Sequence, residues 1–357
     1  MPDRQPPADP GYGLEMGDRR QEVLVIGAGV SGLTTAVCLA EAGLTVAVRA
    51  AQPPQRTTSA AAGAIWGPHL VGMDDRVARW AQVTLITLRQ MRGDPATGIR
   101  EISGVTCSRA AQDQPGPRPP EPPPAPPAQG PPEWTDGVGE RVRCEDAELP
   151  AGFTSGWRFT APVISMPIYM DYLLARLADA GGSVQYDCLF ASLAAAADQI
   201  SAGVIVNCSG IGARDLVPDP DVLPVRGQAV VVANPGITEF FIGIGEEPGD
   251  LTYLFPHRDT VVMGGTEQPG DWNQQPDAGT AARILGKCAA IEPALRGAAV
   301  LAHKAGLRPT RPTVRLEAGE TGDGRLLVHN YGHGGAGVTL SWGCALDVTR
   351  MVLKQRR

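Results

Sequence analysis

The chain has 357 residues, 43% of them hydrophobic and 19% charged, enough to fill one large domain or two interleaved ones and too apolar for a mostly disordered protein. Its 31 Lys plus Arg stand against 38 Asp plus Glu, a formal net charge of -7 that argues against nucleic acid as the main partner. Seven cysteines lie far apart with no C-x-x-C and no Cys/His cluster, so neither a disulfide framework nor a metal site is expected, and the pattern fits scattered thiols in a reducing cytoplasm.

Residues 1–21 are polar and rich in Pro and Gly and read as a loose N-terminal extension. Residues 23–40 carry no charge and follow Arg19 and Arg20, so they imitate a secretory signal. Their glycine spacing argues otherwise, and no membrane association is expected. Residues 23–26 form a short buried-strand run, Gly27-Ala28-Gly29-Val30-Ser31-Gly32 a turn, residues 33–42 a helix stopped by Gly43, and residues 44–48 a second strand. This β-α-β unit carries a G-x-G-x-x-G in the context that gives it meaning. Gly27 allows the tight turn, Gly29 lets the backbone approach a pyrophosphate, and Gly32 lets the helix sit close to the strand, while the helix N-terminus offers N–H groups to phosphates. The carboxylate expected at the end of the second strand to hold a ribose is missing, since Arg49-Ala50-Ala51 stands there. Arg49 opens an alternative, a 2′-phosphate partner and hence NADP.

Residues 115–132 hold eleven prolines in eighteen positions and read as a solvated insert. Beyond it, residues 157–164 read as a strand, 167–180 as a helix with Tyr169 and Tyr172 on its packed face, and 183–190 as another strand. Residues 204–210, Val-Ile-Val-Asn-Cys-Ser-Gly, form a further buried strand ending in a small-residue turn, where an open parallel sheet meets its ligand. Runs at 230–232, 240–242, 252–255 and 261–263 predict an antiparallel sheet. The glycine-rich backbone from Gly332 to Gly337, leading into an apolar helix, suits close approach of a flat ring or a pyrophosphate, and Arg308 among prolines is a stiff fork matched to a carboxylate.

Together these blocks resemble a family, the D-amino-acid oxidases and D-aspartate oxidases that use FAD. The resemblance runs through the opening glycine unit, Thr57-Thr58-Ser59, Ala61-Ala62-Gly63, Trp66, Arg226-Gly227-Gln228, Tyr253-Leu254-Phe255-Pro256, Gly264-Gly265-Thr266 and Asp271-Trp272-Asn273. Its most specific parts are Gly306-Leu307-Arg308-Pro309, Arg311-Pro312, Arg315-Leu316-Glu317, and the run from His329-Asn330-Tyr331 through Thr339 to Trp342-Gly343-Cys344-Ala345. It implies an α/β fold: a doubly wound, Rossmann-like FAD-binding domain from residues 22–70, 157–215 and 300–357, with an inserted antiparallel-sheet substrate domain from 71–156 and 216–299.

The resemblance also implies roles. Arg308 would clamp the substrate α-carboxylate, Tyr253 would add its hydroxyl, and the carbonyl of Gly335 would accept from the α-amino group. Thr57, Thr58, Ala62, Gly63, Ser209, Gly210, His333, Gly334, Gly335, Gly337 and Val338 would join the opening glycine unit in lining FAD, with Thr339 bonding a flavin carbonyl. The substrates would be a D-amino acid and oxygen, with a homodimer among the open assemblies. Departures bear on the side chain accepted: Gly249 stands where the animal enzymes have a second tyrosine, Gly67 where glutamine is common, and His69 where tyrosine is more usual and aspartate oxidases also have histidine. Glu246, Glu247 and Asp250 make the nearby stretch acidic, which favours neutral or basic D-amino acids over D-aspartate. The missing ribose carboxylate predicts more ready FAD exchange. Glycine or secondary-amine oxidation, and a flavin-binding protein without catalysis, stay as alternatives; retention of both Arg308 and Tyr253 argues against the last.

Overall fold

The computed structural model describes residues 23–109, 137–199, 202–245 and 249–355. The expected N-terminal extension, the proline insert, and Glu246 and Glu247 lie outside them. The apolar run β1 (Val23–Ile26) is buried at every position because both of its faces are covered. Val23 and Val25 join the main core, while Leu24 and Ile26 face a second cluster with Ala196, Ile205 and Leu216. A strand apolar on both faces is what a helix-covered parallel sheet requires.

β1 pairs in parallel with β2 (Val46–Arg49) on one side and β7 (Val204–Asn207) on the other. β6 (Ser183–Gln185) extends the sheet beyond β2, β15 (Leu326–Tyr331) pairs in parallel with β7, and β14 (Arg315–Glu320) closes that edge antiparallel to β15. The result is a six-stranded sheet of order β14-β15-β7-β1-β2-β6, a doubly wound, Rossmann-like arrangement. One face is covered by α1 (Val30–Glu41) and α8 (Gly337–Lys354), with α4 (Met166–Asp179) packed against α1 and α3 (Asp75–Met91) against α8. The short helices α2 (Thr58–Ala61), α5 (Leu193–Gln199) and α6 (Ala213–Leu216) sit near the strand ends and the opposite face.

The larger sheet has nine strands. Its path is β12 (Gln268–Pro269), β8 (Leu223–Ala233), β11 (Thr260–Gly264), β10 (Leu251–Pro256), β9 (Phe240–Ile244), β3 (Ile99–Ser108), β5 (Ser155–Ile164) and β4 (Val142–Arg143), and β13 (Val300–Thr310) pairs with β8. All neighbours are antiparallel except β3 and β9. Helix α7 (Ala278–Ile291), capped by Asp277 Oδ1 accepting from Thr280 N, lays Ala281, Ile284 and Cys288 on this sheet.

The expected division of the chain shifts at two places. Residues 157–164 and 300–310, assigned from sequence to the FAD-binding part, belong by pairing to the larger sheet, as β5 and β13. An apolar strand run specifies a strand but not its neighbour, and both strands find theirs far away in sequence. Helix α1 begins at Val30, three residues earlier than the pattern indicates, because the glycine turn itself provides the first helical turn. The strand expected at 183–190 ends at Gln185, and Asp187 then takes a positive φ.

Gly343 on α8 is where the α3–α8 contact is closest: a methyl there would lie within 2.7 Å of the Trp80 carbonyl carbon. Gly343→Ala is expected to destabilise by about 1–3 kcal/mol through overpacking. Gly286→Ala on α7, where a methyl meets no neighbouring element within 4 Å, is expected to stabilise by up to about 1 kcal/mol through helix propensity. Urea unfolding midpoints of the two variants moving in opposite directions check this pair.

Candidate cofactor and substrate site

A cavity of about 1040 Å³ opens at the carboxyl ends of β1, β2 and β7, where an open α/β sheet binds its ligand. Its floor is backbone. Gly27 has φ +108°, and a side chain there would run into the carbonyl of Cys208 at the end of β7. A side chain at Gly32 would strike the carbonyl of Gly27, so helix and strand touch only because both residues are glycine. Val30 N donates to Ser59 Oγ at 3.0 Å, which ties the start of α1 to α2. The N-cap residue Gly29 provides no side-chain cap and the first turn of α1 has no acidic residue, so beyond the Val30 N–H its field is left for an anion.

The opposite rim is the run before α8. Gly334 has φ +55°, a methyl there would collide with the carbonyl of Leu70, and one at Gly335 would lie 2.6 Å from His69 Cδ2. Gly334 N donates to Pro309 O and Gly335 N to His69 O. These crossed backbone bonds lock the glycine run beside β13. A volume at the top of the usual range, a glycine floor and a bare helix N-terminus fit an extended dinucleotide such as FAD with space for a small substrate.

The cavity gathers residues from the whole chain. Gly27, Ala28, Gly29, Val30, Ser31, Thr57, Thr58, Ala62, Gly63, Ser209, Gly210, Tyr253, Arg308, His333, Gly334, Gly335, Gly337 and Val338 all line it. Gly32 and Thr339 are not part of the lining: Gly32 acts through helix-strand contact, and the Thr339 hydroxyl donates to Gly67 O at 2.9 Å while accepting from Gly67 N. Thr339, expected to face a flavin carbonyl, thus fastens α8 to the 67–70 loop. Arg49 donates to Val48 O and is also absent from the lining, which removes the feature that suggested NADP. Gln52 and Arg56 line the cavity past β2, where the ribose carboxylate is missing.

The other half of the lining comes from the larger sheet. Leu251, Tyr253 and Phe255 alternate along β10 so that all three face the cavity, and the Tyr253 ring stacks on Phe255 at 4.6 Å. Gly63 and Gly264 allow this, since side chains there would overlap the two rings. The Tyr253 hydroxyl makes no hydrogen bond among the described residues, and burial, partly offset by the nearby charge of Arg308, raises its pKa, so it stays a neutral donor. Arg308 uses Nη1 on Thr266 O at 2.9 Å and forms no ion pair among the described residues. Glu267, which nothing in the sequence singled out, lines the same cavity with its Oε1 3.1 Å from His69 Nε2, outside hydrogen-bond geometry. That contact, opposed by burial and aided by Arg308, lowers the Glu267 pKa.

His333 is 4% exposed, with Nε2 against Asn330 Oδ1 at 3.0 Å, and burial pushes its pKa down to about 4. It stands at the cavity wall as a neutral ring, which suits support and not proton transfer at neutral pH. Arg226, in a block quoted from sequence, is fully buried and satisfied by Asn273 O, Gln268 Oε1, Gln228 Oε1 and Gln275 O, so it organises the 268–277 loop. Among the described residues no His, Cys, Asp or Glu group could hold a metal, and no helix is long and apolar enough to cross a membrane.

Fold and cavity together define a dinucleotide-cofactor protein with an adjoining pocket for a small anion. The FAD dependent oxidoreductase family matches residues 22–351, and the chain belongs to it. It is 47% identical to the D-amino-acid oxidase of Rubrobacter xylanophilus, over 92% of this chain and 94% of that one. It is 42% identical to the D-amino-acid oxidase of Streptomyces coelicolor, over 94% and 98%. Among solved structures, glycine oxidase from Geobacillus kaustophilus superposes with a TM-score of 0.73 at 20% identity, covering 94% of this chain and 95% of that one, which shows the shared fold.

The buried histidines give the protein an acid limit. His257, His329 and His333 are each held down to about 4, first by burial and, for His257 and His329, next by Lys304 and Arg315. An unfolded histidine titrates near about 6.5, so between that pH and about 4 the unfolded chain binds more protons. Stability present above pH 6.5 is therefore expected to fall as the pH drops toward 4. Urea midpoints measured at pH 7.5 and 5.0 should differ, the lower at pH 5.0; equal midpoints would contradict the burial argument.

Proposed function

We propose that the protein is an FAD-dependent D-amino-acid oxidase, converting D-amino acids and oxygen to 2-oxo acids, ammonia and hydrogen peroxide. The observation that carries the reading is Arg308: a guanidinium that forms no ion pair among the described residues, beside an unbonded tyrosine hydroxyl in a cavity with a glycine-built dinucleotide floor. The two most similar relatives reported above have the same named activity over nearly their full lengths. Bound FAD supplies a two-electron acceptor for the substrate Cα–H and is turned over by oxygen.

The chain's own residues do the positioning. Arg308 takes the α-carboxylate in a bidentate pair, Tyr253 donates to the same group, and the Gly335 carbonyl accepts from the α-amino group. Three contacts fix the Cα–H direction, so rate comes from alignment, and no side chain needs to move a proton. Tyr253 and Phe255, stacked over Gly63, give the substrate an apolar wall. The imino acid leaves and hydrolyses in solution. The glycine turn holds the pyrophosphate, while the larger sheet provides the substrate wall. A reducing, cytoplasmic setting belongs to the same reading, supported by seven free cysteines, six of them buried.

Anaerobic mixing of the FAD-loaded protein with D-alanine, L-alanine or glycine tests this. Bleaching of the flavin by the D-isomer alone, with colour and peroxide returning in air, is the expected result; no bleaching by any D-amino acid in a broad panel would overturn it. Arg308→Ala is expected to lower kcat/KM for D-amino acids by about 10- to 150-fold, the range of a hydrogen bond to a charged group, mainly through KM. Steady-state peroxide assays read both terms.

A further inference from the structure

We propose that Glu267 sets the substrate class of this site, selecting D-amino acids whose side chain ends in a cation, such as D-lysine and D-arginine. The inference rests on the oxidase reading and adds to it the chemistry of the side-chain end. Among the described residues the acids lining the cavity are Asp215, Asp250 and Glu267. Asp215 belongs to α6, just past the β7 turn on the dinucleotide side, and Asp250 is paired with Lys287. Glu267 faces the same half of the cavity as Arg308 and has no Lys or Arg ion pair among the described residues; the His69 ring stands beside it at 3.1 Å.

Placement joins it to the carboxylate clamp. Arg308 donates to the carbonyl of Thr266, so Glu267 follows directly in the chain after the residue that steadies the guanidinium. A substrate held at Arg308 by its α-carboxylate therefore has Glu267 within the same half of the cavity. Gly249 keeps that side open: a methyl there would already lie 3.3 Å from the Glu267 Cβ, so any larger residue would cover the carboxylate. The Glu267 side chain is 16% exposed and His69 sits outside hydrogen-bond geometry, so the carboxylate keeps acceptor capacity that a ligand ammonium or guanidinium would fill. A half-desolvated carboxylate gains more from an incoming cation than an exposed one, and it repels a second substrate carboxylate.

The test compares two side chains on one carbon skeleton. D-Lysine and D-norleucine share the carbon chain and differ in the terminal ammonium. The native holoenzyme is expected to favour D-lysine by about tenfold or more in kcat/KM, the discrimination of one charge-assisted hydrogen bond, and Glu267→Gln should lower that ratio by about the same factor. Flavin absorbance and thermal melting of the variant establish that it is folded and loaded, and the native comparison needs no variant. Equal use of D-lysine and D-norleucine by the native enzyme would overturn the inference and leave the oxidase reading intact. So would equal losses for both substrates in Glu267→Gln, which would place the carboxylate at the α-amino group. If no D-amino acid is oxidised, both readings fall.

Discussion

Everything at the site depends on how closely helix α1 can start above the end of β1. That strand is held between β2 and β7, so its turn must pass under the Cys208 carbonyl before entering the helix. Gly27 and Gly32 remove the only atoms that would prevent it. Once the turn is seated, the bare N-terminus of α1 faces the cavity, and Ser59 accepting from Val30 N brings α2 and its threonines alongside. The dinucleotide half of the site is thus a packing result before it is a chemical one.

The larger sheet adds chemistry by leaving particular polar groups unfinished. Arg226, Arg311 and Arg315 are engaged within the protein: the first in the 268–277 loop, the other two around Asp219 with the Tyr331 hydroxyl. Burial raises the Asp219 pKa, but the Tyr331 bond and Arg311 outweigh it, so the net shift is downward. Arg308 and Tyr253 keep hydrogen-bonding capacity toward the cavity, and the buried neutral histidines add no competing charge at neutral pH. The satisfied guanidinium groups stand outside the cavity lining and Arg308, without an ion pair among the described residues, lines it, which follows from the cost of leaving a buried charge alone.

The sequence by itself determined the local pieces. The glycine spacing after an apolar run fixed the β1-turn-α1 unit, the alternation from 230 to 263 predicted the antiparallel strands, and the spaced blocks from Gly306 to Ala345 carried the family and its cofactor. These are legible because turn, strand period and motif are properties of neighbouring residues. Tertiary structure decided what depends on distant partners. It moved β5 and β13 into the larger sheet, turned Thr339 toward Gly67, took Arg49 out of the cavity, and brought Glu267 beside His69, almost 200 positions earlier in the chain. A lone glutamate after Gly-Gly-Thr has no periodicity and no motif of its own; the open space at Gly249 and the Arg308 guanidinium held by the preceding Thr266 carbonyl are neighbours that only folding gives it.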